Sequence, residues 1–169
     1  KTEPKFHDDY YTDFVMKEGI VGPKVIPQMH AILHSKLEKV EGAAAKMGLF
    51  TSEAADAGAG TPGSDRIGII TASVGANYTL DFLQRRNLRG KVGLLKLGLT
   101  YPFPVQTVRK FMEGFDRVAV VEEGEPFIER NLIPLAEGRQ ICGKLTSHLP
   151  GTGELTYAGV DRGLSSLLN

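Results

Sequence analysis

Two short apolar runs that flank an amphipathic segment form the clearest pattern in the sequence. Residues 91–98 and 117–123 are rich in Val and Leu and show little alternation of apolar and polar positions. Such runs are typical of strands that helices cover on both faces of a sheet. Between the runs, residues 105–114 place four apolar side chains on one helical face: Val105, Val108, Phe111 and Met112. The pattern therefore predicts a strand, a crossover helix and a second strand.

This unit predicts where a functional surface would lie. A right-handed crossover would place the two strands side by side and parallel, with their carboxyl ends at one edge of the sheet. Thr100 and Tyr101 follow the first strand, and Glu122 and Glu123 end the second. Open α/β sheets hold ligands or partners at this edge, so we expect these side chains to line it. Because strand side chains alternate, at most one of the two glutamates can face the buried side, and a solvated pair is the simpler expectation.

The segment before this unit predicts a further strand and helix. Residues 66–71 form a buried-strand candidate, and residues 72–75 form a tight turn into a helix that continues to the basic pair at 85–86. The turn would bring Thr71, Ser73 and free helix N–H groups to the same edge, where such a terminus can hold an anion. The turn also resembles a degraded nucleophile elbow, but its first glycine is missing and no motif supplies a histidine, so we do not predict a serine hydrolase.

The two ends of the chain are patterned differently. Residues 1–22 read as an extended lead-in, and residues 23–47 carry an apolar helical stripe that would pack on the α/β unit or on a partner. After residue 123, a helix that begins at Pro126 must bend or end at Pro134, residues 139–145 form an edge-strand candidate, and Thr156 could cap a last helix over residues 157–168.

Residues 51–65 are rich in Ala, Gly, Ser and Thr and are predicted to be a flexible connection. They contain Gly58, Gly60 and Gly63 in the spacing of the dinucleotide fingerprint. The context is wrong, because the fingerprint follows a strand and opens a helix, whereas here it precedes a strand and contains Pro62. We therefore predict a linker that divides the chain into residues 1–64, with the lead-in, long helix and linker, and an α/β domain over residues 65–169.

Charge and cysteine content exclude several classes. Twenty basic and twenty acidic residues balance, so no global field would attract nucleic acid or an anionic membrane. No apolar run is long enough to span a bilayer, and no signal peptide is visible. Cys142 is the one cysteine in the sequence, which excludes an intrachain disulfide and a self-contained iron–sulfur or cysteine-rich zinc site. Because the chain starts at Lys1 rather than Met, we expect a segment of a longer protein.

His30 and His34 have the spacing that would let two imidazoles on one helix share a metal ion. No third ligand lies nearby in the sequence, and the glutamate of the metalloprotease motif is missing. We therefore predict a solvated helix face rather than a metal site.

Five motifs, taken in order, carry a family resemblance. They are Gly68-Ile-Ile-Thr71, the run from Leu95 to Pro104, the run from Val120 to Glu129, Gly143-Lys144 and Gly153-Glu-Leu-Thr156. Together they resemble the middle domain of the alpha subunit of indolepyruvate:ferredoxin oxidoreductase, over about Val25 to Thr156. The Val-Glu-Glu-Gly run is also similar to the carboxyl-terminal domain of transketolase. The resemblance implies a three-layer α/β/α fold with a mainly parallel sheet of about five strands. The sequence has Gly124 where the family has Leu, which gives this turn a freer backbone.

The resemblance also implies a function. Such enzymes use thiamine diphosphate, magnesium and iron–sulfur clusters to decarboxylate a 2-oxoacid oxidatively and pass the acyl group to coenzyme A. Neither the magnesium motif nor a cysteine cluster occurs in this chain, so we expect a non-catalytic interface domain that binds no cofactor by itself. The implied partners are other domains of the same chain, a beta subunit, ferredoxin and coenzyme A, in the cytoplasm. The residues expected at the interface or coenzyme A edge are Thr71, Ser73, Thr100, Tyr101, Glu122 and Glu123.

Two other functions remain open at this point. The chain could be a stand-alone dimerisation or docking module with no small-molecule role. It could also be the equivalent domain of a transketolase-like or 2-oxoacid dehydrogenase-like enzyme, whose full-length form would lack iron–sulfur ligands.

Overall fold

A computed structural model describes residues 26–55 and 66–168 of the chain. The predicted lead-in at residues 1–22, the glycine fingerprint at 58–63 and the predicted boundary between residues 64 and 65 lie outside these ranges. The chain divides into two compact units, one ending at Val40 and the other beginning at Glu41. The sheet and the cleft described below belong to the second unit.

The second unit is built on a five-stranded sheet with the order β1-β3-β2-β4-β5. Its strands are β1 (Phe50–Glu53), β2 (Ile67–Ala72), β3 (Gly93–Leu97), β4 (Arg117–Val121) and β5 (Gln140–Cys142). β1 runs antiparallel to β3, and the other neighbours are parallel. The predicted mainly parallel sheet of about five strands is confirmed, as is the edge strand within residues 139–145.

Two local predictions about the sheet are wrong. The strands at residues 91–98 and 117–123 are not side by side, because β2 lies between them: Ile69 pairs with Leu94 of β3 and with Ala119 of β4. The helix between β3 and β4 therefore connects two strands that have β2 between them. The apolar pattern of these two strands and their helix contains no information about β2, so it could not predict this order. The predicted flexible connection also begins with ordered structure, since its first three residues, Thr51 to Glu53, pair with β3.

The helices follow the predicted periodicity. They are α1 (Ile26–Lys46), α2 (Ser73–Arg85), α3 (Val105–Met112), α4 (Phe127–Leu132) and α5 (Tyr157–Leu168), with a 3₁₀ turn at Ile133–Leu135 after α4. Pro134 lies in this turn, so α4 ends where the proline removes a hydrogen-bond donor. The Thr156 hydroxyl accepts a hydrogen bond from the Gly159 N–H at 3.2 Å and caps α5 as predicted.

Two apolar cores cover the two faces of the sheet. One packs α2 and α5 on the sheet and includes Ile69, Phe82, Leu94 and Leu164. The other packs α3 and α4 on the opposite face and includes Ile70, Leu95, Val108 and Leu132. Ile69 and Ile70 are adjacent in sequence and lie in different cores, because successive side chains of a strand point to opposite faces. The predicted three-layer α/β/α arrangement is confirmed.

Candidate functional site

An open cleft of about 850 Å³ lies at the carboxyl edge of β2, β3 and β4. The chain continues from β2 to β3 on one side and then crosses to β4 on the other side of β2. Such a change of direction leaves a crevice outside the strand ends, where open α/β sheets bind ligands or partners. The strand order therefore explains why the cleft forms at this place.

Four of the six residues predicted for this edge line the cleft: Ser73, Thr100, Glu122 and Glu123. Tyr101 is next to Thr100 and is 68% exposed, but it is not part of the lining. Thr71 is fully buried and also lies outside the lining. The structure thus brings four of these side chains together and gives Thr71 and Tyr101 other surroundings.

Thr71 holds two strand ends together. Its hydroxyl donates a hydrogen bond to the carbonyl oxygen of Val121 at 2.7 Å, which joins the carboxyl ends of β2 and β4. This carbonyl is the last one of β4, where the sheet ladder ends. The hydroxyl therefore adds a side-chain hydrogen bond to the end of the backbone ladder between β2 and β4.

Replacing Thr71 by Val should lower the free energy of unfolding by about 1 kcal/mol, because the shape is kept and one buried hydrogen bond is lost. Urea denaturation would measure the change. Thr51→Val is the matched control, since Thr51 is an exposed residue of β1. Equal effects of the two substitutions would contradict a role for the Thr71 hydroxyl.

Ser73 lies at a sharp turn between β2 and α2. Its φ is +50°, in the left-handed region, and its side chain is exposed in the cleft. The strand–turn–helix path is similar to a nucleophile elbow. The described lining contains no histidine, so the serine has no neighbour of the type that usually activates it. The structure gives no support to serine hydrolase chemistry.

Glu122 turns inward and caps α4. It is 4% exposed, and its two carboxylate oxygens accept the N–H groups of Ile128 at 2.7 Å and Glu129 at 3.0 Å. Burial raises the pKa of the Glu122 carboxyl, and although both N–H groups and Lys144 favour the charged form, the pKa stays above its ordinary value. Glu123 is exposed. One glutamate therefore faces inward, within the predicted limit, and the expectation of a fully solvated pair is wrong because α4 supplies hydrogen-bond donors.

A buried lysine side chain binds the backbone of the turn between β4 and α4. Lys144 is 8% exposed, and its ammonium group donates a hydrogen bond to the carbonyl oxygen of Gly124. Gly124 has a φ of +71°, which favours glycine over the leucine of the related motif. Glu129 ties the Lys144 segment to α4, because its carboxylate accepts the Leu145 N–H at 2.9 Å. Residues 123–125, which we call the acidic turn, are therefore held at fixed positions in the cleft wall.

The cleft is acidic on the side of this turn. Three carboxylates line it, those of Glu122, Glu123 and Glu125, against the single ammonium group of Lys96. Glu125 has a loose partner in Arg130 at 3.9 Å, and both side chains are exposed to water. Exposed pairs of this kind contribute little, so the wall keeps a negative potential.

The described side chains offer no ligand set of the kind that an iron–sulfur cluster or a three-ligand metal site needs. Cys142 is 1% exposed, and burial raises the pKa of its thiol, whereas an iron–sulfur cluster needs several thiolates. Within residues 26–55 and 66–168, no three His, Cys, Asp or Glu side chains are grouped as metal ligands. The Nε2 atoms of His30 and His34 lie 3.1 Å apart, so these two rings hydrogen-bond to each other. In the same ranges, no helix is both long and apolar enough to cross a membrane.

The lining residues that sequence reasoning missed include Asn77, Lys96, Glu125 and Phe127. Lys96 could have been found, because it is the single polar residue in the apolar run of β3. Asn77 lies one helical turn after Ser73, which is a weaker signal. Lys144 was part of a quoted motif, but only the folded chain shows that it binds a turn twenty residues earlier.

Comparison with known sequences gives relatives of one kind. No family model matches the chain. Over 110 residues it is 36% identical to the indolepyruvate oxidoreductase subunit IorA of Methanothermobacter thermautotrophicus, covering 62% of this chain and 18% of the relative. The subunit IorA of Archaeoglobus fulgidus is 29% identical over 151 residues, covering 88% of this chain and 22% of the relative. The chain thus spans about a fifth of the length of these relatives.

A solved structure has a similar fold. The chain superimposes with a TM-score of 0.57 and 16% identity on a 2-oxoglutarate:ferredoxin oxidoreductase from Magnetococcus marinus, a structure with 2-oxoglutarate, coenzyme A and succinyl-CoA bound. The match covers 89% of this chain and 24% of that one. With the sequence relatives, this identifies the chain as a homologue of one segment of the indolepyruvate oxidoreductase subunit IorA, with the fold of a 2-oxoacid:ferredoxin oxidoreductase domain.

Proposed function

We propose that the chain acts as a non-catalytic interface domain of an indolepyruvate:ferredoxin oxidoreductase that forms an acyl-CoA. The observation that carries this proposal is the 36% identity to IorA over 110 residues. That span exceeds the length of any one motif quoted above. The presence of coenzyme A and succinyl-CoA in the structural relative supports an acyl-CoA product.

The interface role is supported by the use of the buried polar groups at the sheet edge. The Thr71 hydroxyl binds a backbone carbonyl, and Glu122 and Lys144 bind the backbone of the acidic turn and α4. These groups are occupied in holding the cleft wall. The more exposed lining residues Ser73, Thr100 and Glu123, with the adjacent Tyr101, would then meet the catalytic domains or coenzyme A.

Thiamine diphosphate would supply the decarboxylation chemistry in the whole enzyme. We assign its binding, with magnesium and iron–sulfur clusters, to other parts of that enzyme, because the described residues contain one buried cysteine and no group of three metal ligands. The proposed partners are those other domains, a second subunit, ferredoxin and coenzyme A. The proposed location is the cytoplasm, with no role for nucleic acid or a membrane.

A docking module without a small-molecule role is the second candidate. The engagement of Thr71, Glu122 and Lys144 with backbone groups favours it as much as it favours an interface domain. Coenzyme A separates the two, since its contact with the sheet edge would shift amide signals at residues 71–75 or 100–103. Unchanged signals in both segments would favour docking alone.

The proposed function is tested by activity. The full-length protein with its partner subunit should reduce ferredoxin when given indolepyruvate and coenzyme A, whereas the 169-residue chain alone should show no reduction above background. The full-length protein with Ser73→Ala should keep activity within about twofold, because the proposal gives this hydroxyl no chemical step. Turnover by the isolated chain, or a loss of several hundredfold in the variant, would contradict the proposal.

A further inference from the structure

We propose that the acidic turn and a neighbouring group of aromatic side chains together dock a basic polypeptide segment from another domain or subunit of the same assembly. The aromatic group, which we call the aromatic rim, consists of Tyr101, Phe103 and Phe127. This inference rests on the proposed function, because it names the kind of partner that the interface would meet.

Two members of the aromatic rim are exposed beside the cleft, and the third, Phe103, is half-buried. Tyr101 is 68% exposed and Phe127 is 42% exposed. Phe103 packs edge-on against Phe127, with ring centroids 6.5 Å apart, so the loop after β3 and the start of α4 form one surface. Phe127 also lines the cleft. Aromatic side chains are enriched in the buried centres of protein interfaces, which favours a polypeptide as the occupant.

Charge selects a basic segment. Glu123 and Glu125 are exposed on the acidic turn, whereas Glu122 is buried and bonded to α4, and Lys96 brings an ammonium group to the described lining. An arginine side chain can pair with a carboxylate through two parallel hydrogen bonds and stack on an aromatic face. The phosphate groups of coenzyme A carry the same charge as these carboxylates and would be repelled by them.

The backbone of the acidic turn is tied to the fold by hydrogen bonds within this chain. Glu122 holds the start of α4, and Lys144 holds the Gly124 carbonyl from the buried side. Both groups are mostly buried and bonded to the backbone, so they hold the turn rather than contact a partner. A surface that is already ordered loses less conformational entropy on binding, which favours specific docking over loose attraction.

Photo-cross-linking in the full-length protein with its partner subunit tests the proposal. Tyr101→p-benzoylphenylalanine would be irradiated, and the attached peptide identified by mass spectrometry. We expect one dominant cross-link to a segment outside this chain that carries Arg or Lys. No cross-link, a cross-link to a second copy of this chain, or attachment to a segment without basic residues would overturn the proposal.

Charge variants supply the second readout. Adding Glu123→Gln and Glu125→Gln to the cross-linking protein should reduce the yield about fivefold at low salt, because each exposed ion pair contributes a small factor. The matched control is Glu113→Gln with Glu154→Gln, two exposed glutamates outside the lining, which should leave the yield unchanged. Equal losses in both pairs would contradict charge selection. Abolition of the cross-link by coenzyme A would show a ligand site instead.

Failure of this inference can be distinguished from failure of the proposed function. Ferredoxin reduction by the same preparation reports the proposed function independently of the cross-link. An active assembly without the cross-link would remove the docking surface and leave the function. An inactive assembly with a charge-sensitive cross-link would keep the docking surface and remove the oxidoreductase assignment.

Discussion

Replacing Gly75 by Ala should lower the free energy of unfolding by about 3 kcal/mol, the upper part of the range for overpacking a close contact. A Cβ atom at this position would lie 2.7 Å from the carbonyl oxygen of Val121 and 2.9 Å from the Thr71 hydroxyl. These two atoms are hydrogen-bonded to each other, so neither can move without breaking that bond. The added methyl group would therefore push α2 away from the end of β4, and urea denaturation would measure the loss.

Gly42→Ala is the matched control for this substitution. Gly42 lies inside α1, and no heavy atom is within 4 Å of a Cβ built there. The same chemical change should raise the free energy of unfolding by about 0.5–1 kcal/mol, because alanine loses less backbone entropy in a helix. A neutral Gly75→Ala variant would show that β4 and α2 are not in close contact at the cleft.

Replacing Glu122 by Ala should lower the free energy of unfolding by about 2 kcal/mol at pH 5, because the N–H groups of Ile128 and Glu129 lose their acceptor in a buried place. The effect depends on pH in a defined direction. Burial raises the pKa of Glu122 in the folded protein above its ordinary value of 4.5, so the folded state keeps this proton to higher pH than the unfolded state. Stability contributed by Glu122 is then fully present below pH 4.5 and is lost as pH rises through the raised pKa.

Urea denaturation of both proteins at several pH values from 4.5 to 8 tests this sign. The difference in the free energy of unfolding between the wild-type protein and Glu122→Ala should be largest at the acid end and shrink toward pH 8. Glu123→Ala is the control, because Glu123 is adjacent in sequence but exposed, and its effect should stay within about 0.5 kcal/mol. A difference that grows with pH would mean that the capping bonds outweigh burial and that the pKa is lowered.

Most of the sheet could be predicted from the sequence, and the exceptions have physical causes. β2, β3 and β4 are buried on both faces over most of their length, so each needs a mainly apolar run that stands out from its flanks. β1 was missed because two of its four residues, Thr51 and Ser52, are exposed polar residues at an edge. Such a strand depends on pairing with β3 rather than on its own pattern.

The candidate site was predicted less completely than the sheet. Ser73, Thr100, Glu122 and Glu123 were found because strand ends in a parallel sheet share an edge. The inward orientation of Glu122 was not predictable, because it depends on where α4 starts relative to β4. The clamp of Lys144 on Gly124 joins residues twenty positions apart, and no local pattern marks such a contact.

The amino-acid sequence by itself determined the fold class, the buried strands and the family resemblance. These properties follow from the period and length of apolar runs and from motifs kept in order, which are local features of the chain. Only the tertiary structure decided that β2 lies between β3 and β4 and that the side chains of Thr71 and Glu122 form hydrogen bonds with backbone groups. It also decided that the acidic turn lies beside exposed aromatic rings. Those properties depend on which distant segments meet, and burial and hydrogen bonding between such segments are set by the whole fold.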